Sequence, residues 1–235
     1  MKSKITLLVL FVFCMSIAFA FEKTERMSLS AEGIDKLVID CGSGYLYVTG
    51  EESLRNIEVE AEIVVKGRSD KDIEEYVKNN IKLELKKQGS NAVLTSLFKN
   101  QFPGINFRTR VINLTVRVPK NMGLEVDDGS GEVKIEHIDG NLQIDDGSGE
   151  IEVRDILGDV DIDDGSGTVD VRNVTGNVSI DDGSGTIKIS EIGKNVKVSD
   201  GSGSIYIDGV VGDVIIKDDG SGGVSIKNVS GRVIK

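Results

Sequence analysis

The chain has 235 residues with a formal net charge of −11, and 39% of them are hydrophobic, which is enough for a packed core and excludes a disordered acidic tail. The acidic excess lies in residues 127–235, which hold 23 acidic and 10 basic residues. A surface of this charge repels phosphate backbones, so the composition argues against nucleic acid as a partner and favours cations or basic surfaces.

Residues 1–20 have the pattern of a secretory signal peptide. Lys2 and Lys4 give the positive start, residues 5–19 are largely apolar, and a small-x-small cleavage site ends at Ala20. We therefore expect an exported protein, located in the periplasm or at the cell surface or released outside the cell. An uncleaved membrane anchor is the alternative, which the short apolar run disfavours. No transmembrane segment is expected after cleavage.

Residues 21–126 are predicted to form a β-rich N-terminal cap that includes a first, degenerate coil. Asp40-Cys41-Gly42-Ser43-Gly44 resembles the corner motif repeated later in the chain, and Leu46 and Val48 follow it with apolar alternation. Ser69 and Asp72 can cap a short helix. Further strands are predicted at residues 57–63, 81–85, 92–98 and 107–118.

Residues 127–235 contain six copies of a D-D-G-S-G motif at a nearly constant spacing. Four intervals are 18 residues long, and the last is 19 because Lys217 is inserted. The copies begin at Asp127, Asp145, Asp163, Asp181, Ser199 and Asp218. With each unit numbered from the first residue of its motif, the apolar residues recur at positions 7, 9, 12, 16 and 18.

These five apolar points are mostly Val or Ile and alternate with polar residues, as in strands with one buried face. No single unit can bury its apolar face, so the units must stack. We predict an all-β fold, a parallel β-helix or solenoid with 18-residue coils, in which equivalent strands lie roughly 4.8 Å apart. The Gly-Ser-Gly triplet would form the sharp corner.

Several segments of the chain resemble those of a known family. The segment from Leu114 to Pro119, the Leu124-Glu125-Val126 triplet and the Gly-x-Val-x-Ile units are similar to the bacterial candidate-adhesin family of secreted β-helical domains. The resemblance spans Leu37 to Lys235. It implies a cell-envelope or surface location and a parallel β-helix, and it carries over no functional residues.

The aspartate pairs of the corners are the most suggestive polar feature. Stacking would place equivalent carboxylates about 5 Å apart, an arrangement that calcium exploits in nonapeptide β-rolls. Solvated turn caps that accept backbone N–H bonds are the alternative. The candidate metal ligands are Asp127, Asp128, Asp145, Asp146, Asp163, Asp164, Asp181, Asp182, Asp218 and Asp219. No cofactor other than this possible calcium is expected.

The histidine, the corner serines and the cysteine do not indicate an enzyme. His137 stands at a corner position that Asp155 and Asn173 occupy in the following units, so we predict a solvated turn residue. The corner serines lack a base at fixed spacing, which argues against a hydrolase triad. Cys41 is the one cysteine left after signal cleavage, and it is either a quiet turn residue or an exposed, intermolecular thiol.

The sequence therefore predicts an adhesin-like binding or scaffold protein without catalytic activity. Its expected partner is a protein or cell-surface ligand of unknown identity, and self-association is a further possibility. A calcium-binding solenoid and a carbohydrate-active β-helix enzyme are the alternatives. The enzyme is disfavoured because Tyr206, Ile215 and Ile234 are the only large outward substitutions within the strands of the repeats and the chain has no tryptophan to form a sugar platform.

Overall fold

The computed structural model describes residues 19–67, 70–99 and 109–235. The predicted signal peptide lies outside this part except for Phe19 and Ala20, which begin the first strand. Ser69, the predicted helix cap, and the predicted strand residues 107–108 also lie outside it.

The repeat block forms a parallel β-solenoid, as predicted. Each coil contains one strand of 5 residues and one of 8 residues in its regular part, joined by the Gly-Ser-Gly corner. The strands of this block are β7 Gly123–Ile138, β8 Leu142–Asp146, β9 Gly149–Ile156, β10 Val160–Asp164, β11 Gly167–Val174, β12 Val178–Asp182, β13 Gly185–Ile192, β14 Val196–Asp200, β15 Gly203–Val210, β16 Val214–Asp218, β17 Val224–Val229 and β18 Val233–Ile234.

Equivalent positions of successive coils lie directly above one another. Strand β9 pairs in parallel with β11, and β8 with β10, with each residue opposite the residue 18 positions later. The position 9 ladder runs through Ile135, Val153, Val171, Ile189 and Ile207, and each of these side chains is at most 2% exposed. Like aliphatic side chains therefore pack on like across the coils, which excludes water from the stack.

The N-terminal half continues the stack and then closes it with antiparallel strands. Strand β2 pairs with β7 from Lys36 opposite Gly123 to Thr49 opposite Glu136, which confirms the degenerate first coil. The elements of this half are β1 Phe19–Ser30, β2 Lys36–Glu51, β3 Asn56–Gly67, α1 Asp70–Asn80, β4 Ile81–Gln88, β5 Asn91–Phe98 and β6 Thr109–Pro119. Strand β1 was not predicted, and the other elements match the sequence pattern.

The strands form two faces, which we call the broad face and the narrow face. The broad face consists of β9, β11, β13, β15 and β17, the second halves of β7 and β2, and then β6, β3 and β1. The narrow face consists of the even-numbered strands from β8 to β18, the first halves of β7 and β2, and then β5 and β4. Strands β2 and β7 run through the corner without a break, so all 18 strands belong to one sheet.

A bend at position 11 lies one residue before the end of the long strand of each coil. Its residue has a left-handed backbone, with φ between 52° and 63° at His137, Asp155, Asn173, Glu191 and Asn228. Asn, Asp and His tolerate this conformation better than most residues, which explains why they recur here. The side chain of His137 is 55% exposed, which confirms the predicted solvated turn residue.

The second glycine of the corner is fixed by close contact between coils. At Gly149 and Gly167 φ is 148° and 150°, and a Cβ atom there would lie 1.7 Å from the carbonyl oxygen of the equivalent glycine in the preceding coil. Any side chain would therefore push neighbouring coils apart at the corner. The middle residue of the triplet has no such constraint.

We expect Gly167→Ala to destabilise the protein by about 3 kcal/mol, because the added methyl group overlaps backbone that cannot move without breaking the register. Ser166→Ala is the matched control, because it alters the adjacent corner residue and leaves the backbone free to keep its bonds. Urea denaturation of both variants measures the difference. Equal midpoints for the two variants would show that the corner contact does not limit stability.

Candidate functional site at the aspartate corner

The two aspartates of each corner point to opposite sides of their strand. Side chains alternate along a strand, so the first aspartate faces solvent and the second faces the interior. The outer row contains Asp127, Asp145, Asp163 and Asp181, which are exposed. The inner row contains Asp128, Asp146, Asp164, Asp182 and Asp200, whose exposed fractions lie between 0% and 5%. The expectation of solvated turn caps is therefore wrong for the inner row.

Each inner carboxylate has one satisfied and one unsatisfied oxygen. Oδ1 of Asp164 accepts a hydrogen bond from the backbone N–H of Ser166 at 3.1 Å, and Oδ1 of Asp182 accepts one from Ser184 at 2.9 Å. These bonds cap the corner, as the turn hypothesis predicts. The Oδ2 atoms of all five inner aspartates are buried and have no hydrogen-bond partner. A charged carboxylate in this setting is strongly disfavoured.

Burial is the main reason that the inner row holds protons more tightly than ordinary carboxylates do. It raises the pKa of Asp146, Asp164 and Asp182 from 3.8 to about 6, and the neighbouring inner aspartates contribute to the increase. Burial also raises the pKa of Asp128 and Asp200. Asp146, Asp164 and Asp182 therefore change their charge close to neutral pH.

Cys41 occupies the inner position of the first coil, opposite Asp128. It is a free cysteine with an exposed fraction of 7%, and it lies beside Asp128 on the neighbouring strand. Burial and the nearby carboxylates raise the pKa of this thiol. Since the thiolate is the reactive form, these features favour the quiet turn residue over an exposed intermolecular thiol.

The calcium hypothesis is based on stacked carboxylates from both members of each aspartate pair, and the structure places the two members on opposite sides of the strand. Among the residues that the structure describes, no group of three or more His, Cys, Asp or Glu side chains is placed to hold a metal ion. Asp218 and Asp219 are both exposed, because the register shifts between Val198 and Ser199 where the last coil carries its inserted residue. Calcium binding stays a prediction.

Sequence reasoning missed one member of the inner row. Asp200 was not a candidate because Ser199 replaces the first aspartate of its motif. Its side chain is nevertheless fully buried and accepts a hydrogen bond from the backbone N–H of Ser202 at 2.9 Å. The alternation of buried Val196 and Val198 before it was the signal that could have identified Asp200 as inward-facing.

Ion pairs join many of the outward side chains of the broad face. Arg172 donates two hydrogen bonds to Asp170, and Arg154 lies 2.6 Å from Glu152. Asp170 lies on the outward side of its strand, yet its side chain is only 12% exposed. His137 Nε2 lies 3.6 Å from Asp155 Oδ2 on the adjacent coil. These contacts restrict the positions of charged groups on the outside of the solenoid.

A family model of the Toastrack DUF4097 type matches residues 34–234. The chain belongs to this family. The match begins just before β2 and includes the N-terminal half as well as the repeats, so the degenerate coil and the regular coils form one family unit.

Several solved structures are similar to the chain. A candidate adhesin from Bacteroides fragilis is 15% identical, with 90% of this chain and 96% of that chain covered and a TM-score of 0.47. A candidate lipid-binding protein from Parabacteroides distasonis is 16% identical, with 91% and 97% covered and a TM-score of 0.39. A candidate cell adhesion protein from Clostridium sporogenes is 12% identical, with 88% and 99% covered and a TM-score of 0.36. The curated proteins contain no match.

From the raised pKa of the inner aspartates we predict that acidification stabilises the fold. Because the pKa of Asp146, Asp164 and Asp182 is higher in the folded state than the ordinary value of 3.8, their contribution is fully present below about pH 4 and is lost as the pH rises through about 6. We expect Asp164→Asn, which stays neutral and keeps an acceptor for Ser166, to be more stable than the wild type at pH 7.5 by about 1–2 kcal/mol.

Urea denaturation at pH 4.5 and pH 7.5 measures this effect. The wild type should lose stability over this interval relative to Asp164→Asn. Asp163→Asn, which changes the exposed neighbour in the outer row, is the matched control and should follow the wild type. If Asp164→Asn shows the same pH dependence as Asp163→Asn, the inner row does not take up protons in the folded state.

Proposed function

We propose that this protein is an exported binding or scaffold protein of the bacterial cell envelope, adhesin-like in its role and without catalytic activity. The observation that carries the proposal is the broad face, a continuous sheet of ten strands whose outward side chains are fixed by ladder contacts and ion pairs. A continuous surface of this length suits recognition of a partner more than turnover of a substrate.

The outward side chains of the broad face are already restricted, so they would lose little conformational freedom when a partner binds. Arg172 is held by Asp170, and Arg117 is held by Glu51 and Glu58 across three strands. Surface ion pairs of this kind add little stability by themselves. They do restrict the side chains that a partner would meet, and such preorganisation lowers the entropic cost of association.

The N-terminal sequence supports export. Lys2 and Lys4, the apolar run after them and the small-x-small site are the features of a secretory signal. Within the described ranges, no helix has the length and apolarity needed to span a membrane. The proposed location is the periplasm or the outside of the cell.

Fractionation of bacteria that express the full chain with a C-terminal tag tests the export step. We expect the tagged protein in the envelope or medium fraction, with an N-terminus near Phe21 by mass spectrometry. A variant with Leu7, Leu8 and Leu10 changed to Asp should remain unprocessed, because charge in the apolar run blocks recognition of the signal. Recovery of an unprocessed wild-type protein in the cytosol would contradict the proposal.

The binding step is tested with the purified exported protein, labelled and incubated with intact bacterial cells. We expect saturable retention that an excess of unlabelled protein prevents. Retention that rises in proportion to concentration without saturation would show only nonspecific adsorption and would contradict a binding role.

A further inference from the structure

Aromatic side chains are concentrated on the outer side of the broad face. Three of the four tyrosines lie there: Tyr45 and Tyr47 on β2, and Tyr206 on β15. Tyr45 and Tyr47 alternate with Leu46 and Val48, each 1% exposed, so both rings project away from the core. Tyr45 and Tyr47 lie where the N-terminal half meets the regular coils.

Tyr45 and Tyr47 form one aromatic surface. Their ring centroids lie 4.4 Å apart with an interplanar angle of 21°, so the rings are stacked. Partial burial and the nearby Glu132 carboxylate on β7 raise the pKa of Tyr47, which keeps the hydroxyl protonated as a donor. The Tyr45 ring therefore holds the Tyr47 ring from one side.

A concave site of about 350 Å³ adjoins Tyr47. Three strands contribute polar groups to it: Thr115 comes from β6, Thr49 from β2, and Lys134 from β7. Glu132 and Glu136 complete the polar lining. The site thus combines an aromatic ring with hydroxyl, ammonium and carboxylate groups, and its volume is within the range of small-molecule sites.

The charges of this site select the kind of ligand. Glu132, Lys134 and Glu136 leave one net negative charge, and Lys134 is also 3.5 Å from Glu152 on the next coil. An anionic ligand would meet two carboxylates, and the single ammonium is already paired. A neutral ligand with many hydroxyl groups could instead donate to the carboxylates, accept from the ammonium and place an apolar face on the Tyr47 ring.

We propose that Tyr47, Glu132, Lys134 and Thr115 form a binding site for a neutral glycan. One sugar ring lies against Tyr47, and its hydroxyl groups bond to Glu132, Lys134 and Thr115. The proposal rests on the proposed function, because it names the class of envelope ligand that the broad face recognises. Tyr206 lies on the same ladder five coils further along, roughly 24 Å away at the usual strand spacing, and is outside this site.

Tyrosine emission gives a direct test, because the chain has four tyrosines and no tryptophan. The exported protein is titrated with cellotetraose, chitotetraose and maltotetraose, and affinities are checked by calorimetry. We expect saturable binding of at least one of them, and about tenfold weaker binding by Tyr47→Ala. Tyr47→Phe keeps the ring and should lose less. Tyr206→Ala, the matched control, should bind as the wild type does.

A second pair of variants separates the site from general surface charge. Glu132→Ala removes a lining carboxylate and should weaken binding, whereas Glu150→Ala removes the equivalent carboxylate of the next coil and should not. Unchanged thermal midpoints confirm that the variants are folded. The glycan site is overturned if none of the three tetrasaccharides binds saturably, or if Tyr47→Ala and Tyr206→Ala bind equally well.

Retention on cells distinguishes this failure from failure of the proposed function. If cells retain the wild type saturably but no glycan binds, the protein is a binding protein that uses another site. If retention is also absent, the proposed binding function fails as well.

Discussion

Register between coils is the constraint on which the rest of the structure depends. Each strand bonds its backbone to the strand 18 residues away, and this pairing places Val and Ile above Val and Ile through the whole repeat block. The corner glycines permit the close approach, since a Cβ at Gly185 would lie 1.8 Å from the carbonyl oxygen of Gly167. Burial of the aliphatic ladders then supplies the stabilising free energy.

The same register creates the unusual chemistry of the inner row. A strand that buries Val160 and Ile162 must also bury Asp164, because these residues share one side of it. Repetition then aligns five carboxyl groups in the interior. Their backbone caps satisfy one oxygen each, and the other oxygen favours a proton over a charge. A turn residue thereby becomes a titrating group near neutral pH.

Much of the fold could be predicted because the apolar pattern of one coil recurs in six successive units. The five apolar positions fixed the strands, and Asp40-Cys41-Gly42-Ser43-Gly44 disclosed the first coil despite its altered sequence. Strand β1 was missed, since its pairing with β3 depends on contacts with residues 26 to 48 positions away. The burial of the inner aspartates was missed because two consecutive aspartates at a turn are usually exposed to solvent. The concave site beside Tyr47 was not visible either, since its walls come from three separate strands.

Position 8 of the coil shows how freely the outside of this solenoid can vary. The five residues Lys134, Glu152, Asp170, Lys188 and Tyr206 follow one another on the same ladder, and they include basic, acidic and aromatic side chains. The residues on either side of each remain buried Val or Ile. Exchange of an outward residue thus leaves the architecture untouched. The outer surface of such a protein can therefore change one coil at a time while the buried ladders that support it are retained.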